Sequence, residues 1–391
     1  MRLNYSSTIS CLILGLLTSL LIHSIPSYSE EPVECFPTPP KMIKSVTFWK
    51  KIYTEVDTEK GFIHDRENLD IIYEVYTPPK GEKSYQNKKI KNRINYYENQ
   101  LKKLAENPTN NDPQLKKIAS LWENKNPDSH TYQNASQNVR FQRGQSDKFL
   151  AGIKHSKVYL PEMKKILHQE GVPEDLIYLP HVESSFNCQA RSKRGAVGIW
   201  QFLHDTGKRY MTINKLVDER KDPLISTRAA AKLLRHNYQK LHSWPLALIA
   251  YNYGTNGLMR ATEHHNTNDF EYILDNYKKK SFSFATKNFY AEFLAAREVA
   301  THPGLYFSSM DDGKEYSEIK IVYLDDTTRV RNILNHYNMT STEFLTHNPA
   351  ITTTAIYRNH QLKKGFPIYL PKAKYLAIHK TASGKGTSLK D

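Results

Sequence analysis

The sequence predicts a mainly α protein with a small βααβ domain near its C-terminus, and three observations carry that reading. Asp222-Pro223 opens a long amphipathic stretch in which Leu224, Ile225, Ala229, Leu233, Leu234, Tyr238 and Leu241 recur on one face. Ile90, Ile94, Tyr97, Leu101 and Leu104 recur with heptad-like spacing. After Met310-Asp311-Asp312-Gly313 the texture changes, with Ile319, Ile321 and Tyr323 alternating as in a strand.

Taken in order, residues 11–25 form an apolar run behind Arg2, interrupted by His23 and short of the about 20 residues a membrane span needs. Ser27 and Ser29 sit where a cleavage site before Glu30 requires small residues, so residues 1–29 read as a signal peptide. No cysteine follows a small-residue lipobox there, so no lipid attachment is expected. Export removes Cys11 and leaves Cys35 and Cys188, which an oxidising compartment permits to pair. Residues 30–139 read as a helical N-terminal extension: loose over 31–40, helical from Phe48 to Tyr76, broken at 77–81 and 107–113 and through the polar stretch 124–138.

The central part, residues 140–304, carries the chemistry. Pro173, Glu174 and Asp175 mark a helix start, with the acids at the positive end of the dipole. The apolar run Leu176, Ile177, Leu179, Pro180, Val182 then leads to Glu183 near the end of a buried helix. A carboxyl group on an apolar cleft wall has its charged form disfavoured and its pKa raised, as a general acid requires. Gly195 and Gly198 permit unusual dihedrals. Gln201 offers both donor and acceptor, while Ala196, Val197, Ile199, Trp200 and Phe202 read as core.

Three blocks in fixed order resemble the signature motifs of the soluble-lytic-transglycosylase (SLT) family: Pro180-His181-Val182-Glu183-Ser184-Ser185-Phe186-Asn187, Gly195-Ala196-Val197-Gly198-Ile199-Trp200-Gln201-Phe202 and Ala250-Tyr251-Asn252-Tyr253-Gly254. The resemblance implies a lysozyme-like all-α catalytic domain that cleaves peptidoglycan glycan strands with Glu183 as sole acid/base. It also implies substrate contacts from Ser192, Gly198, Gln201, Tyr251 and Asn252. Such an enzyme needs no second carboxylate, because the C6 hydroxyl of N-acetylmuramic acid attacks its own C1 and closes a 1,6-anhydro ring. One departure stands out. Where the family carries a tyrosine whose hydroxyl reaches towards the active site, this chain has Phe289, followed by Tyr290 as a candidate replacement.

In the last part, Asp326-Thr327 opens a helical stretch through Val330, Ile333, Leu334 and Tyr337, and Phe344 and Leu345 lie in a second. Phe366-Pro367-Ile368-Tyr369-Leu370-Pro371 closes the pattern. This order over residues 319–371 resembles a LysM domain, which implies affinity for chains containing N-acetylglucosamine. Asp325-Asp326-Thr327 stands in its usual Gly-Asp-Thr turn, and the loop 350–361 is long. Residues 372–391 read as a disordered basic tail.

Net charge is +15. No nucleic-acid motif accompanies it, and for an exported chain the counter-charges are the carboxylates of peptidoglycan stem peptides and an anionic membrane surface. No Cys/His spacing fits zinc, His264-His265 lacks a ligand motif, and no phosphate loop is present, so neither metal nor cofactor is expected. The reading is a monomeric lytic transglycosylase of the periplasm or cell envelope, a lyase akin to the membrane-bound branch of the family. Two rivals stay open. A goose-type lysozyme would use water and a second carboxylate, for which Asp218 and Glu219 are candidates, and a wall-binding protein would have no activity.

Overall fold

The computed structural model describes residues 34–308 and 319–383. The expected leader, the cleavage site and residues 384–391 of the expected tail lie outside the described residues. From Cys35 onward the described segments pack as one unit, and they are mainly helical.

Helix α1 (Ile43–Thr54) buries Val46, Phe48, Trp49, Ile52 and Tyr53, the spacing of one helical face. The helical pattern expected to continue to Tyr76 stops there. Gly61–Asp65 (β1) and Ile72–Tyr76 (β2) are strands instead. Each is a five-residue run rich in aromatic and β-branched residues, which suits a pleated surface better than a helix. The turn between them is closed by the Asp65 carboxylate, which accepts from the backbone N–H of Glu67 (2.9 Å) and Asn68 (2.7 Å). Beyond them, α2 (Lys83–Glu106) buries Tyr97, Leu101 and Leu104 of the expected stripe, and α3 (Pro113–Ser120) is capped by Asp112. The polar stretch read as a break holds a helix, α4 (Ser129–Ser136). It starts at a capping box between Asp128 and Thr131, so local hydrogen bonding supplies what apolar periodicity lacks. Strand β3 (Val139–Arg143) returns to complete an antiparallel sheet of order β2-β1-β3. Gly61 is required where β1 meets β3, since a Cβ there would strike the Gln142 carbonyl. Ile63, Tyr73, Leu101, Leu104, Trp122 and Tyr132 form the small core between the sheet and α2–α4.

The central part contains α5 (Ser146–Ser156), α6 (Leu160–Gln169), a 3-10 turn over Glu174–Tyr178, α7 (Leu179–Ser184), α8 (His204–Gly207) and α9 (Pro223–Leu241). It continues through α10 (Trp244–Tyr253), α11 (Thr255–His265), α12 (Phe270–Asn276) and α13 (Phe284–Thr301). Helices α10 and α13 are apolar around most of their circumference and lie at the centre. Arg140 is no packing boundary. The main core runs without a break from Phe36 through Trp49 and Tyr53 to Leu246, Phe293 and Val299. Trp49 Nε1 donates to Asn288 Oδ1 (3.2 Å) and Lys50 pairs with Glu298 (2.8 Å), which fixes α1 along α13.

The C-terminal part adds β4 (Ile319–Tyr323), β5 (Thr328–Arg329), α14 (Val330–His336), α15 (Ser341–His347), α16 (Thr353–Tyr357), β6 (Gln361–Leu362), β7 (Pro367–Pro371) and α17 (Lys372–Ser383). Strands β4 and β7 pair antiparallel, as do β5 and β6. Two features differ from expectation. The long loop 350–361 contains α16, capped by Thr352. Residues 372–383 form a helix rather than disordered tail, because Tyr375 and Ile378 pack on the module's core and Lys374 donates to the Asn338 carbonyl (2.6 Å).

This module is docked on α9. Val217 belongs to its core, Asp218 N donates to Ala350 O (2.8 Å) and Thr352 N to Leu216 O (3.1 Å). Asp222 caps α9 by accepting from Leu224 N and Ile225 N (2.9 Å each). The same carboxylate oxygen accepts from the buried Tyr369 hydroxyl at 2.9 Å. Burial pushes the Asp222 carboxyl up to about 7 against these hydrogen bonds, which favour its charged form. At pH 8, Tyr369→Phe is therefore expected to lower unfolding free energy by about 1–3 kcal/mol, the cost of withdrawing a donor from a buried acceptor. Urea denaturation with an unchanged midpoint would show that the joint does not depend on this bond.

Candidate active site

Glu183 occupies the last turn of α7, and the local sequence explains how it is held. The 3-10 turn before it is anchored by Asp175, paired with Arg297 of α13 at 2.8 Å. Pro180 falls in the first turn of α7, where its missing N–H is no loss. The helix ends abruptly because Ser185 (φ +51°) and Phe186 (φ +54°) are both left-handed, and Phe186 turns into the core. Ser184 Oγ donates to the Ile199 carbonyl at 3.0 Å, tying α7 to the glycine-containing loop. Behind Glu183, His181 is buried and stacks on Phe149 at 4.8 Å. Burial pushes His181 down to about 3, so it stays neutral and offers Glu183 no counter-charge.

Glu183 is half-buried, with some accessible surface left to it. Burial, reinforced by the charge of Glu292, pushes its carboxyl up to about 8. Glu292 lies on α13, which packs across α7, and burial likewise raises it to about 8 although Arg140 pulls the other way. Tyr53 of α1 is almost fully buried and stacks on Phe149 at 4.7 Å. Its phenol is pushed well above its usual value by burial and by the charges of Glu292 and Glu183. Tyr251 of α10 is raised in the same way by burial and Glu183, and its hydroxyl donates to the Trp200 carbonyl at 2.7 Å. The site thus collects Glu183, Glu292, Tyr53 and Tyr251 from four helices. Burial disfavours the charged form of both carboxyls, the direction a general acid needs.

Of the residues expected at the cleft, Tyr251 shares the electrostatic environment of Glu183. The others have structural partners. Ser192 Oγ accepts from Ala196 N (3.0 Å) and closes the loop. Gly198 (φ +82°) is buried against the Arg220 carbonyl, where no side chain fits. Gln201 is left-handed (φ +48°), and its side-chain amide donates to the Gly198 carbonyl at 2.8 Å. Asn252 is exposed and accepts from Thr286 Oγ1 (3.2 Å), joining α10 to α13. Phe289 is core. The Tyr290 hydroxyl donates to the Pro37 carbonyl at 2.8 Å, so it is committed to holding the N-terminal segment and does not stand in for the missing phenol. Asp218 grips Arg220 (2.8 Å), which overcomes burial and lowers its carboxyl, and Glu219 accepts from Thr212 N. The second acid beside Glu183 is therefore Glu292. An acid set in the apolar run Phe289-Tyr290-Ala291-Glu292-Phe293-Leu294 was its visible signal. Tyr53 gave none, because its place depends on how α1 packs.

Among the described residues, no group of three His, Cys, Asp or Glu is arranged to hold a metal, and no disulfide joins Cys35 to Cys188. No helix among them is long and apolar enough to cross a membrane.

Replacing Glu292 by Gln removes one of the two causes that raise Glu183. A general acid must be protonated to act, so any activity that depends on Glu183 in that role falls as pH rises through its pKa. In Glu292→Gln the alkaline limb of the pH profile is expected to move to lower pH, with the fold kept. An unmoved limb would mean that the two carboxyls do not interact.

Residues 162–274 match the family described as Transglycosylase SLT domain. Membrane-bound lytic murein transglycosylase D of Escherichia coli K12 is 25% identical over 185 residues, which are 47% of this chain and 40% of that protein. The putative tributyltin chloride resistance protein of Alteromonas sp. strain M-1 is 30% identical over 105 residues, 26% of this chain and 51% of that protein. The matches thus cover about half or less of the length of these relatives.

Proposed function

We propose that this chain, whose residues 162–274 match the transglycosylase SLT domain, is a lytic transglycosylase of peptidoglycan. The observation that carries the reading is the carboxyl of Glu183 at the end of α7, pushed up to about 8 by burial and by Glu292.

In this reading Glu183 gives its proton to the glycosidic oxygen between N-acetylmuramic acid and N-acetylglucosamine as the C1–O bond breaks. The resulting carboxylate then takes the proton of the muramic C6 hydroxyl while that oxygen bonds to C1. One end leaves with a free hydroxyl and the other as a 1,6-anhydro ring. No water is consumed and Glu183 regains its proton. Attack from within the same sugar lowers the barrier by roughly 7–11 kcal/mol relative to a free reactant, which removes the need for a second carboxylate as nucleophile or base. Glu292 serves to keep Glu183 protonated. Ser192, Gly198 and Gln201 shape the loop that faces the sugar, and Tyr251 borders the acid. The C-terminal module adds a grip on the same polymer, and the expected setting is the periplasm or cell envelope, with the chain acting as a monomer.

Glu292 also favours a second reading, hydrolysis. Two carboxyl groups in one cleft are the equipment of a glycosidase that uses water. Mass spectrometry of the released fragments separates the two, because only intramolecular attack leaves anhydro ends. Glu183→Gln keeps the shape and removes the titrating proton. It is expected to retain the fold and to lower release of 1,6-anhydromuropeptides by at least about 10²-fold. Near-normal turnover would remove Glu183 from the mechanism, and reducing muramic ends from the wild type would make the enzyme a hydrolase.

A further inference from the structure

Two neighbouring cavities, about 740 and 520 Å³, open beside the catalytic helices and share Arg66 and Phe284. Six residues lining the first are cationic and two acidic. Both acids already face cations: Asp275 pairs with Lys41 at 2.8 Å and Glu67 lies 3.6 Å from Arg66. Lys278, Lys279 and Lys280, in the exposed loop between α12 and α13, and Lys287 have no ion pair among the described residues. The second cavity adds Arg140 and Arg143 and no acid. At the shared wall the Arg140 guanidinium lies 3.6 Å above the centroid of Phe284. Its Nε is buried without a hydrogen-bond partner, so an arginine is held in place with donor capacity unused.

The trench wall and Glu292 share one helix. Phe284 starts α13 and Glu292 lies eight residues further along the same helix, about 12 Å away at 1.5 Å per residue. An extended tetrapeptide reaches about 13–14 Å. Beneath the trench, Phe284 approaches Trp49 (6.5 Å), Trp49 approaches Tyr53 (6.2 Å) and Tyr53 stacks on Phe149 (4.7 Å), a largely buried aromatic row that fixes α13 against α1. A peptide branching from a sugar at Glu183 has the length to bring its carboxylates to the arginines and lysines.

We propose that this basic trench receives the carboxylate-bearing stem peptide of the strand whose glycan lies at Glu183. The assignment rests on the reading of the site as one for peptidoglycan, and it gives the sheet of the N-terminal part a task in substrate choice.

The test uses the full chain and a variant with Arg66, Lys278, Lys279 and Lys280 changed to Ala, all exposed positions. The ligands are a disaccharide-tetrapeptide muropeptide and the same disaccharide without peptide. The variant is expected to bind the peptide-bearing ligand about tenfold more weakly and the bare disaccharide as the wild type does. Equal weakening for both, or for neither, overturns the proposal. So does loss of binding to phosphatidylglycerol vesicles without loss for the muropeptide, which would give the cations to a membrane. Binding does not require turnover. A wild type that discriminates the two ligands through these residues but releases no fragments would refute the catalytic reading and leave the trench standing.

Discussion

The structure depends on keeping a carboxyl group in a place where its charge is unwelcome. Glu183 is held at the end of a short helix with Pro180 in its first turn, two left-handed residues at its end, and Phe149 and neutral His181 behind. Exposure would return such a carboxyl to its ordinary value. The apolar character of α10 and α13 therefore sets the electrostatics of Glu183 as well as the fold. Glu292 deepens the effect. Two like charges cannot both be accommodated in one desolvated cleft, so each raises the other's cost of ionisation.

The N-terminal part shares in this arrangement. Helix α1 delivers Tyr53 to the cleft, and β3 delivers Arg140, the only cation whose field opposes that of Glu292 in the described surroundings. Residues outside the SLT match thus take part in setting the electrostatics of the acid within it.

The sequence revealed the parts governed by local rules. Asp222-Pro223 announces α9, and the three motif blocks mark Glu183 and Tyr251. The sheet of β1, β2 and β3 was hidden because its strands are five residues each and β3 pairs with β1 from the far side of three helices. Helix α4 was hidden because a capping box rather than an apolar stripe starts it. Tyr290 shows a different limit. The sequence offered it as a hydroxyl close to the missing one, but neighbours along a helix point about 100° apart, and its phenol reaches Pro37 instead. Glu292 was present in plain view as an acid in an apolar helix, yet its meaning depends on α13 lying across α7.

The joint between Tyr369 and Asp222 changes what the C-terminal module can contribute. A module on a slack tether raises local concentration, and its benefit is set by chain length and stiffness. Here the first turn of α9 and the last strand of the module share one carboxylate, so the two move together and no slack remains between them. Every surface of the module therefore keeps one distance and one angle to α9, and the two behave as a single rigid piece rather than as a body and its tether.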